Sequence, residues 1–342
     1  MTETPRLHDR DAVPAAAGAD GRRSLLAGAS GRFLSSLDDA GRTHVTDLAL
    51  QMAHQLNQWA VKYPLIRRVR VWPLALSVAA AAPFSDAEAL AATARLSLWV
   101  FTLDDLFDEE RVSRAELMRR VERYRGIAQF RDVPGARDSL ATALRDVRDD
   151  LARYPLFDEL GAGWAQALCG TIDGMARENQ WRTAYLQAGH ADLPSYEDYL
   201  ETGLYSIGGP PHIWASWITV GDPSTPRHLD HLRRMEREAS ICIRLANDLR
   251  SRQKEIAEGN VNALVIIGQL LREQGSDDVA ADQGAESRIR CDIEGGLELL
   301  SSLRAGAATA SGQPEAATAD IARFVCDFYA EHDYHTFSSQ PR

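Results

Sequence analysis

Two short polar clusters hold most of the side chains in this sequence that could do chemistry. The first is DDLFD at 104–108, which follows the apolar run LSLWVFTL, and the second is NDLRSRQKE at 247–255, which follows ICIRLA. Asp104 and Asp108 stand four residues apart, so an α-helix presents both carboxylates on one face. Asn247, Ser251 and Glu255 keep the same spacing and therefore share a helical face as well.

The side chains on these two faces suit a site for hard divalent cations. Each of them ends in oxygen, which is the ligand type that Mg²⁺ selects. Carboxylates that leave an apolar helix need a metal or a paired charge, because burying a bare carboxylate is costly. The competing interpretations are a solvated helix end for the first cluster and a polar face with an ion pair of Arg250 for the second. Two such faces across a cavity would hold several Mg²⁺ ions and, through them, a diphosphate.

The rest of the chain predicts helices that could position these clusters. A length of 342 residues with 45% hydrophobic content is enough for a substantial core. Apolar residues recur at intervals of three and four, and no sustained alternating strand pattern appears, which predicts an all-α protein. The predicted helices are 42–62, 86–110, 114–127, 136–153, 157–187, 195–219, 225–257, 260–273, 286–305 and 315–331. The polar stretches 273–287 and 306–320 are predicted to be surface loops within one domain.

The helix predicted at 195–219 is interrupted by the sequence SIGGPPHIW. Gly203, Gly208, Gly209, Pro210 and Pro211 lie in this otherwise apolar helical pattern, and such a cluster breaks the backbone hydrogen-bond ladder. One interpretation is an ordinary loop between two helices. The other is a broken helix that lines a pocket with backbone dipoles.

Composition argues against several other classes of protein. Residues 1–30 contain Pro, Gly and scattered charge without a continuous apolar segment, which predicts a disordered tail rather than a secretory signal. No apolar run reaches the roughly 18 residues that a membrane span needs. The four cysteines lack CxxC spacing and fit reduced thiols in a cytoplasmic protein. A net charge of −11 without a basic stripe argues against nucleic acid as a partner.

The two clusters, in this order and at this separation, resemble those of the class I terpene synthases. The second cluster matches that family's (N/D)DxxSxxKE pattern at every position. GMARENQW at 174–181, EIAEGNVNALVI at 255–266 and FYAEHDYHTF at 328–337 resemble further stretches of the family. The resemblance covers about residues 45–337 and implies an all-α, single-domain helical bundle around a central apolar active-site cavity, formed by residues 31–342.

This resemblance assigns metal ligands in the chain. Asp104 and Asp108 would ligate two of three Mg²⁺ ions, with Mn²⁺ as a substitute. Asn247, Ser251 and Glu255 would ligate the third ion.

The resemblance also assigns residues to the leaving group and to closure of the site. Asp105 would orient the metal site, and Arg244 and Lys254 would neutralise the departing diphosphate. Tyr329 and Tyr334 would belong to a C-terminal segment that caps the cavity when it closes.

A third set of residues is predicted to line the substrate pocket. Aromatic faces can stabilise carbocations without supplying a nucleophile. The aromatic candidates are Phe101, Trp181, Tyr205, Trp214 and Trp217, and each could instead be ordinary core. The helix break resembles that of ent-kaurene synthase-like enzymes, in which a residue at the break steers the final carbocation, and it contributes Ser206, Ile207 and Gly208.

The sequence departs from the family pattern at some positions. Gly203 stands where many bacterial members carry a diphosphate-sensing arginine, which leaves more of that duty to Arg244. The C-terminal Arg-Tyr pair of those members is missing too. Arg67, Arg68 and Arg70 resemble a plant-type arginine pair, or they form a solvated basic face.

The resemblance implies a Mg²⁺-dependent cyclase that ionises a prenyl diphosphate and releases diphosphate. A C20 substrate, geranylgeranyl or copalyl diphosphate, is expected from the plant-like features, and the product is a terpene hydrocarbon or alcohol. The alternatives are a sesquiterpene synthase acting on farnesyl diphosphate, a chain-elongating prenyltransferase, which normally needs two aspartate-rich motifs, and a non-catalytic helical binding protein. The absence of a DxDD motif argues against a protonation-initiated cyclase. A homodimer is common among such relatives.

Overall fold

The computed structural model describes residues 31–108, 113–131, 138–188 and 193–334. The tail at 1–30, predicted to be disordered, lies outside the described residues. All regular secondary structure in the described part of the chain is helical, which confirms the all-α prediction. No helix there combines the length and the apolar content needed to cross a bilayer.

Thirteen α-helices form the described part of the bundle. The first seven are α1 (Arg32–Ser35), α2 (Asp39–Ala60), α3 (Val71–Ala81), α4 (Ala87–Asp108), α5 (Arg114–Ala128), α6 (Ser139–Leu151) and α7 (Phe157–Ala188). The remaining six are α8 (Tyr196–Ser206), α9 (Gly209–Val220), α10 (Leu229–Glu258), α11 (Ala263–Glu273), α12 (Asp278–Ala305) and α13 (Gln313–Glu331). Single 3₁₀ turns at Arg68–Arg70 and Thr225–His228 lead into α3 and α10.

The helices that carry the two polar clusters, α4 and α10, share a neighbour. Helix α4 packs against α2, α3, α6 and α9, whereas α10 packs against α8, α9, α12 and α13. On α4, the fully buried Trp99 donates a hydrogen bond from Nε1 to the Leu140 carbonyl of α6 at 2.8 Å. Burial of a large apolar side chain contributes about 1.5–3 kcal/mol, so this contact anchors the helix just before its acidic end.

The predicted interruption of the helix at 195–219 is confirmed as a break between α8 and α9. Gly208 adopts the left-handed conformation with φ +77°, and the Ile207 amide donates to the Gly203 carbonyl at 3.1 Å. A Cβ at position 208 would lie 2.5 Å from Cγ1 of Val100 on α4. Both the backbone conformation and the close approach therefore require glycine at this position.

Three sequence predictions about elements are wrong. Helix α3 was not predicted, because all its residues are buried and a helix buried on every side has no polar face to reveal its period. The predicted loop at 273–287 is mostly the start of α12, where Asp277 caps the helix and Ala281, Ala285 and Ile289 are buried at four-residue spacing. The predicted loop at 306–320 gives way to α13 from Gln313.

The helix break yields a prediction for stability. Gly208→Ala should lower the free energy of unfolding, because an L-residue in the left-handed region costs about 1–2 kcal/mol and its Cβ also meets Val100. Adding Val100→Ala to the Gly208→Ala protein should remove the steric contact and recover only the part of the lost stability that this contact causes. Urea unfolding of Gly208→Ala, Val100→Ala and the double variant measures the cost of the backbone conformation and the cost of the steric contact separately.

A matched control exists on α12. A Cβ at Gly295 would meet nothing within 4 Å, so Gly295→Ala should stabilise the helix by about 0.5–1 kcal/mol. A Gly208→Ala protein as stable as the wild type would contradict the interpretation of the break.

A buried carboxyl on α10 yields a pH prediction. Glu236 accepts a hydrogen bond from Nε1 of Trp214 at 3.2 Å, and burial raises its pKa from 4.5 to about 7. The folded state therefore favours the protonated acid, and this contribution to stability is complete below pH 4.5 and is lost as the pH rises through 7. Glu236→Gln, which stays neutral, should gain about 2–3 kcal/mol over the wild type between pH 5 and pH 8. Urea unfolding at both pH values measures this gain, and an equal effect at the two would contradict it.

Candidate active site

The two polar clusters meet at the mouth of one cavity. This cavity contains about 1070 Å³ of empty space, counted out to its opening, between the C-terminal end of α4 and the middle of α10. The predicted ligands Asp104, Asn247, Ser251 and Glu255 and the predicted diphosphate contacts Arg244 and Lys254 all line it. Asp108 is the last residue of α4, but its side chain lies outside the described part of the structure.

A second, apolar chamber adjoins this mouth, with about 580 Å³ of empty space counted out to its opening. Val100, Phe101, Ile207 and Tyr329 line both spaces, so the two spaces adjoin each other at these four residues. Most of the chamber wall is aliphatic and comes from α3, α4, α9, α10 and α13. The site thus combines an oxygen-rich, charged mouth with an apolar interior.

Asp105 points away from the cavity and is held by arginines in front of α3. Nη1 and Nη2 of Arg70 donate to its two carboxylate oxygens at 2.7 and 2.8 Å, and Nε of Arg67 lies 3.3 Å from Oδ2. Arg70 also donates to the Phe101 carbonyl at 3.1 Å and is only 1% exposed. The alternative of a solvated basic face is therefore wrong for Arg70, and this ion pair fixes the acidic end of α4.

Arg68 has a different partner from the other two arginines. Its Nε donates to Oδ1 of Asn57 at 3.1 Å, on α2. It therefore does not share the clamp on Asp105.

Arg244 is buried at the cavity wall among acidic partners. Its Nη1 lies 3.1 Å from Oε1 of Glu178, and its Nε lies 3.0 Å from Oδ1 of Asp248. The Tyr199 hydroxyl lies 2.9 Å from both oxygens of Asp248 and donates to that carboxylate. These contacts hold the guanidinium in one orientation beside the mouth.

Gly203 explains how Arg244 reaches this position. A Cβ at residue 203 would lie 3.1 Å from Cγ and 3.3 Å from Cδ of Arg244. The arginine stem therefore occupies the space beside α8 that a side chain at 203 would need. The departure from the family pattern at Gly203 thus provides room for a cation donated by α10.

The helix break contributes to the cavity as the sequence predicts. Ser206 and Ile207 line the mouth, and Ile207 and Gly208 line the apolar chamber. Oγ of Ser206 donates to Oε1 of Glu178 at 2.7 Å, and the same oxygen contacts Arg244. A continuous series of polar contacts therefore connects Arg244 to the break.

Glu255 is held by a residue that sequence reasoning did not single out. Nδ2 of Asn262 donates to Oε2 of Glu255 at 2.7 Å, while Oδ1 of Asn262 caps the start of α11. Burial raises the pKa of the Glu255 carboxyl, against the opposing effects of Arg244 and of this hydrogen bond. The available sequence signal was an Asn directly before the apolar run of α11.

The C-terminal segment packs onto the cavity. Tyr329 lines both the mouth and the chamber, and Asp333 lines the mouth. The Tyr334 hydroxyl lies 2.6 Å from Oγ of Ser77, and its ring lies 5.5 Å from that of Phe101. Residues 335–337, the end of the matched stretch, lie outside the described residues.

Among the predicted pocket aromatics, only Phe101 belongs to the described lining of the two spaces. Trp181 stacks on Tyr199 with ring centroids 6.3 Å apart, and Tyr205 is 36% exposed on the outer side of α8. Trp214 and Trp217 pack together in the core at 5.1 Å, and their indole nitrogens donate to Glu236 and Thr318. The pocket prediction for these four residues is wrong, because their contacts lie on other faces of their helices.

The missed residues had weak sequence signals. Glu178 lies in the matched stretch 174–181 but was given no role, and Tyr199 acts only through a contact between α8 and α10. His212 on α9 lines the chamber and was not singled out, since a histidine on an apolar helix is not distinctive.

The donor set at the mouth fits a hard divalent cation. Among the described residues, no group of three His, Cys, Asp or Glu side chains could hold a metal by itself. The oxygens at the mouth come instead from carboxylate, amide and hydroxyl groups on two helices. Such a set suits Mg²⁺, which keeps several waters or substrate oxygens as ligands, better than it suits Zn²⁺.

Comparisons with known proteins agree with this geometry. The family model described as "Terpene synthase family 2, C-terminal metal binding" matches residues 95–290, more than half of the chain. The chain therefore belongs to the terpene synthase family.

A curated relative carries a specific activity in its name. The (+)-T-muurolol synthase of Roseiflexus castenholzii, described as cyclising (2E,6E)-farnesyl diphosphate, is 27% identical over 224 residues. The match covers 62% of this chain and 65% of that protein, slightly less than two thirds of its length.

Solved structures share the fold at low identity. Linalool/nerolidol synthase from Streptomyces clavuligerus, in complex with 2-fluorogeranyl diphosphate, matches with a TM-score of 0.65 and 19% identity, covering 83% of this chain and 97% of that one. 2-Methylisoborneol synthase from Streptomyces coelicolor A3(2), in complex with Mg²⁺ and geranyl-S-thiolodiphosphate, matches with a TM-score of 0.65 and 15% identity, covering 83% and 92%. These matches confirm the helical fold.

The contact between Gly203 and Arg244 yields a prediction. Gly203→Ala should lower the free energy of unfolding by about 1–3 kcal/mol, because the added methyl group crowds a buried arginine that cannot move aside. In an Arg244→Ala background the same change should instead stabilise helix α8 by about 0.5–1 kcal/mol. Urea unfolding of the four proteins in this double-mutant cycle measures the coupling, and an equal cost in both backgrounds would contradict the proposed contact.

Proposed function

We propose that this chain is a Mg²⁺-dependent class I terpene cyclase, which ionises a prenyl diphosphate and cyclises the resulting carbocation. The observation that carries the proposal is a pair of adjoining spaces, one lined by carboxylate, amide and hydroxyl oxygens and by cationic side chains, the other mostly by apolar side chains. A diphosphate suits the first environment and a prenyl chain suits the second.

The residues at the mouth would hold the diphosphate end of the substrate. Asp104 on α4 and Asn247, Ser251 and Glu255 on α10 would ligate Mg²⁺, with Asp108 as a further ligand. When bound, Mg²⁺ offsets the negative charge that develops on the departing diphosphate. The number of ions, three by family resemblance, and substitution by Mn²⁺ remain predictions.

Arg244 and Lys254 would bind the leaving group directly. Arg244 is held in place before substrate arrives, so little reorganisation is needed when charge develops on the diphosphate. Lys254 lines the same mouth from an exposed position on α10 and can adjust to the bound substrate.

The chamber would receive the prenyl chain and keep water away from the cation. Water captures an allylic carbocation readily, so a cyclase needs a dry and shaped interior. The rings of Phe101 and Tyr329 line the chamber and can stabilise positive charge through their faces. The hydroxyls of Ser77 and Tyr334 are hydrogen-bonded to each other, which holds both in fixed positions on the chamber wall.

We propose farnesyl diphosphate as the substrate, rather than the C20 diphosphate that the plant-like features of the sequence favour. The support is the activity for which the (+)-T-muurolol synthase of Roseiflexus castenholzii is named, the cyclisation of farnesyl diphosphate. Chain elongation is disfavoured because the chain carries one aspartate-rich cluster, with the Asn/Ser/Glu cluster in the second position. A cytoplasmic location and a homodimer remain predictions.

The proposed activity predicts a specific loss of turnover in ligand variants. Purified protein with Mg²⁺ and farnesyl diphosphate should release pyrophosphate and form a cyclic terpene, measured by a coupled pyrophosphate assay and gas chromatography–mass spectrometry. Asp104→Ala and Asn247→Ala should each lower the rate by about 100- to 1000-fold, as expected for the loss of about 3–4 kcal/mol of electrostatic stabilisation. Chelation of Mg²⁺ should abolish the reaction.

Controls separate this result from general damage and from the rival functions. Asp39→Ala removes a carboxylate that is 99% exposed on α2 and should leave the rate unchanged. Parallel reactions with geranyl and geranylgeranyl diphosphate test chain length, and added isopentenyl diphosphate tests chain elongation. Wild-type turnover by Asp104→Ala at limiting Mg²⁺ would refute the metal-site assignment, whereas exclusive use of geranylgeranyl diphosphate would refute only the choice of substrate.

A further inference from the structure

Two pairs of polar side chains line the apolar chamber, Ser77 with Tyr334 and Ser97 with His212, and the hydrogen bonding of the second pair is incomplete. The hydroxyls of Ser77 and Tyr334 satisfy each other at 2.6 Å, and Ser77 also donates to the Pro73 carbonyl at 2.7 Å. On the opposite wall, Oγ of Ser97 lies 2.7 Å from Nδ1 of His212. His212 lines the chamber, and its other ring nitrogen, Nε2, has no hydrogen-bond partner among the described residues.

The position of His212 is fixed by the helix break. His212 lies in the first turn of α9, directly after Pro210 and Pro211. A Cβ at Gly209 would lie 2.5 Å from Oγ of Ser240, so the start of α9 packs closely against α10. Ser97, on α4, holds the ring from the other side. The imidazole therefore has little freedom to turn away from the chamber.

The environment keeps the imidazole neutral. Burial lowers the pKa of His212 from 6.5 to about 4, so at neutral pH one ring nitrogen carries a lone pair. When Nδ1–H donates to Oγ of Ser97, that lone pair is on Nε2. The chamber thus contains a neutral base whose basic atom has no hydrogen-bond partner among the described residues, in a wall that is mostly apolar.

We propose, building on the terpene cyclase function above, that Nε2 of His212 accepts the proton whose loss ends the reaction. A C–H bond next to the cationic carbon breaks, and its electron pair forms the new C=C bond. The proton forms an N–H bond at Nε2, and the resulting imidazolium remains hydrogen-bonded to Ser97. The product of this step is a neutral hydrocarbon, and the histidine returns to its neutral form by losing the proton when the site opens to water.

His212 is therefore a determinant of which alkene is formed. The residues proposed to hold Mg²⁺ and the diphosphate lie at the mouth, whereas His212 lies on the wall of the apolar chamber. Its loss should leave ionisation intact and change where the cation loses its proton. The departed diphosphate at the mouth is the competing proton acceptor, and it would select a different C–H bond.

Two substitutions at His212 and one matched control test this assignment. His212→Phe removes both ring nitrogens, and His212→Asn keeps an atom that can bond Ser97 while removing Nε2. His231→Phe is the control, since His231 on α10 is another half-buried histidine, and its Nε2 is buried without a hydrogen-bond partner among the described residues, outside the described cavity lining. Each protein is incubated with Mg²⁺ and farnesyl diphosphate, and in parallel with geranylgeranyl diphosphate. Pyrophosphate release and the alkene composition are measured separately.

The proposal expects near-wild-type pyrophosphate release in the His231→Phe control, and pyrophosphate release that continues in both His212 variants because ionisation takes place at the mouth. The share of the principal wild-type alkene should fall by about tenfold or more in both His212 variants, in favour of isomeric alkenes or alcohols, as expected for loss of a general base. His231→Phe should keep the wild-type composition. Because His212→Asn retains the Ser97 hydrogen bond, it gives a result even if His212→Phe folds poorly.

Other outcomes would overturn the assignment. An unchanged alkene composition in His212→Asn, or a wild-type product that is entirely an alcohol, would show that His212 does not take the final proton. Wild-type protein that releases no pyrophosphate from any prenyl diphosphate would instead refute the proposed function itself, and the role of His212 with it.

Discussion

The site depends on an alternation within each polar cluster. One side chain is held by an ion pair with neighbouring helices, and the side chain next to it faces the cavity. Successive residues of an α-helix point about 100° apart, so adjacent acids cannot face the same way. In the first cluster, Asp105 is tied to the buried Arg70 while Asp104 faces the cavity. In the second, Asp248 is tied to Tyr199 and Arg244 while Asn247 faces it. The inward-facing side chains thus have positions that buried ion pairs fix.

These buried pairs serve orientation more than stability. Removing one partner of a buried ion pair leaves an uncompensated charge and costs about 3–5 kcal/mol, although the intact pair itself contributes little. Arg70 also bonds the Phe101 carbonyl, so it fixes the backbone of α4 just before Asp104. Arg244 belongs both to a buried ion pair and to the cavity wall, which couples the shape of the mouth to the packing of α8 against α10.

The break between α8 and α9 connects the charged mouth to the apolar chamber. Gly208 adopts the left-handed backbone conformation where the chain passes close to Val100, and Gly203 leaves room for the stem of Arg244. Ser206 then lines the mouth beside the Glu178–Arg244 contact, His212 lines the apolar chamber, and Ile207 lines both spaces. The short glycine- and proline-rich break therefore places polar side chains in the lining of both spaces.

The sequence predicted the fold class, and it predicted that the two polar clusters face one cavity, because both depend on local periodicity. Asp104 and the Asn247, Ser251 and Glu255 set were recognisable from spacing alone. Helix α3 was missed because full burial removes its polar face, and Trp214 and Trp217 were misplaced because the direction of a core aromatic depends on packing between distant helices. Tyr199 and Asn262 were missed for the same reason, since their partners lie on other helices.

The most direct measurement of the central claim is the anomalous scattering of crystals soaked with Mn²⁺ and inorganic pyrophosphate. The account predicts anomalous peaks at the cavity mouth, next to oxygens of Asp104 on one side and of Asn247, Ser251 and Glu255 on the other, with pyrophosphate between them and near Arg244. Metal bound on only one helix, or pyrophosphate bound at a place remote from both faces, would contradict it.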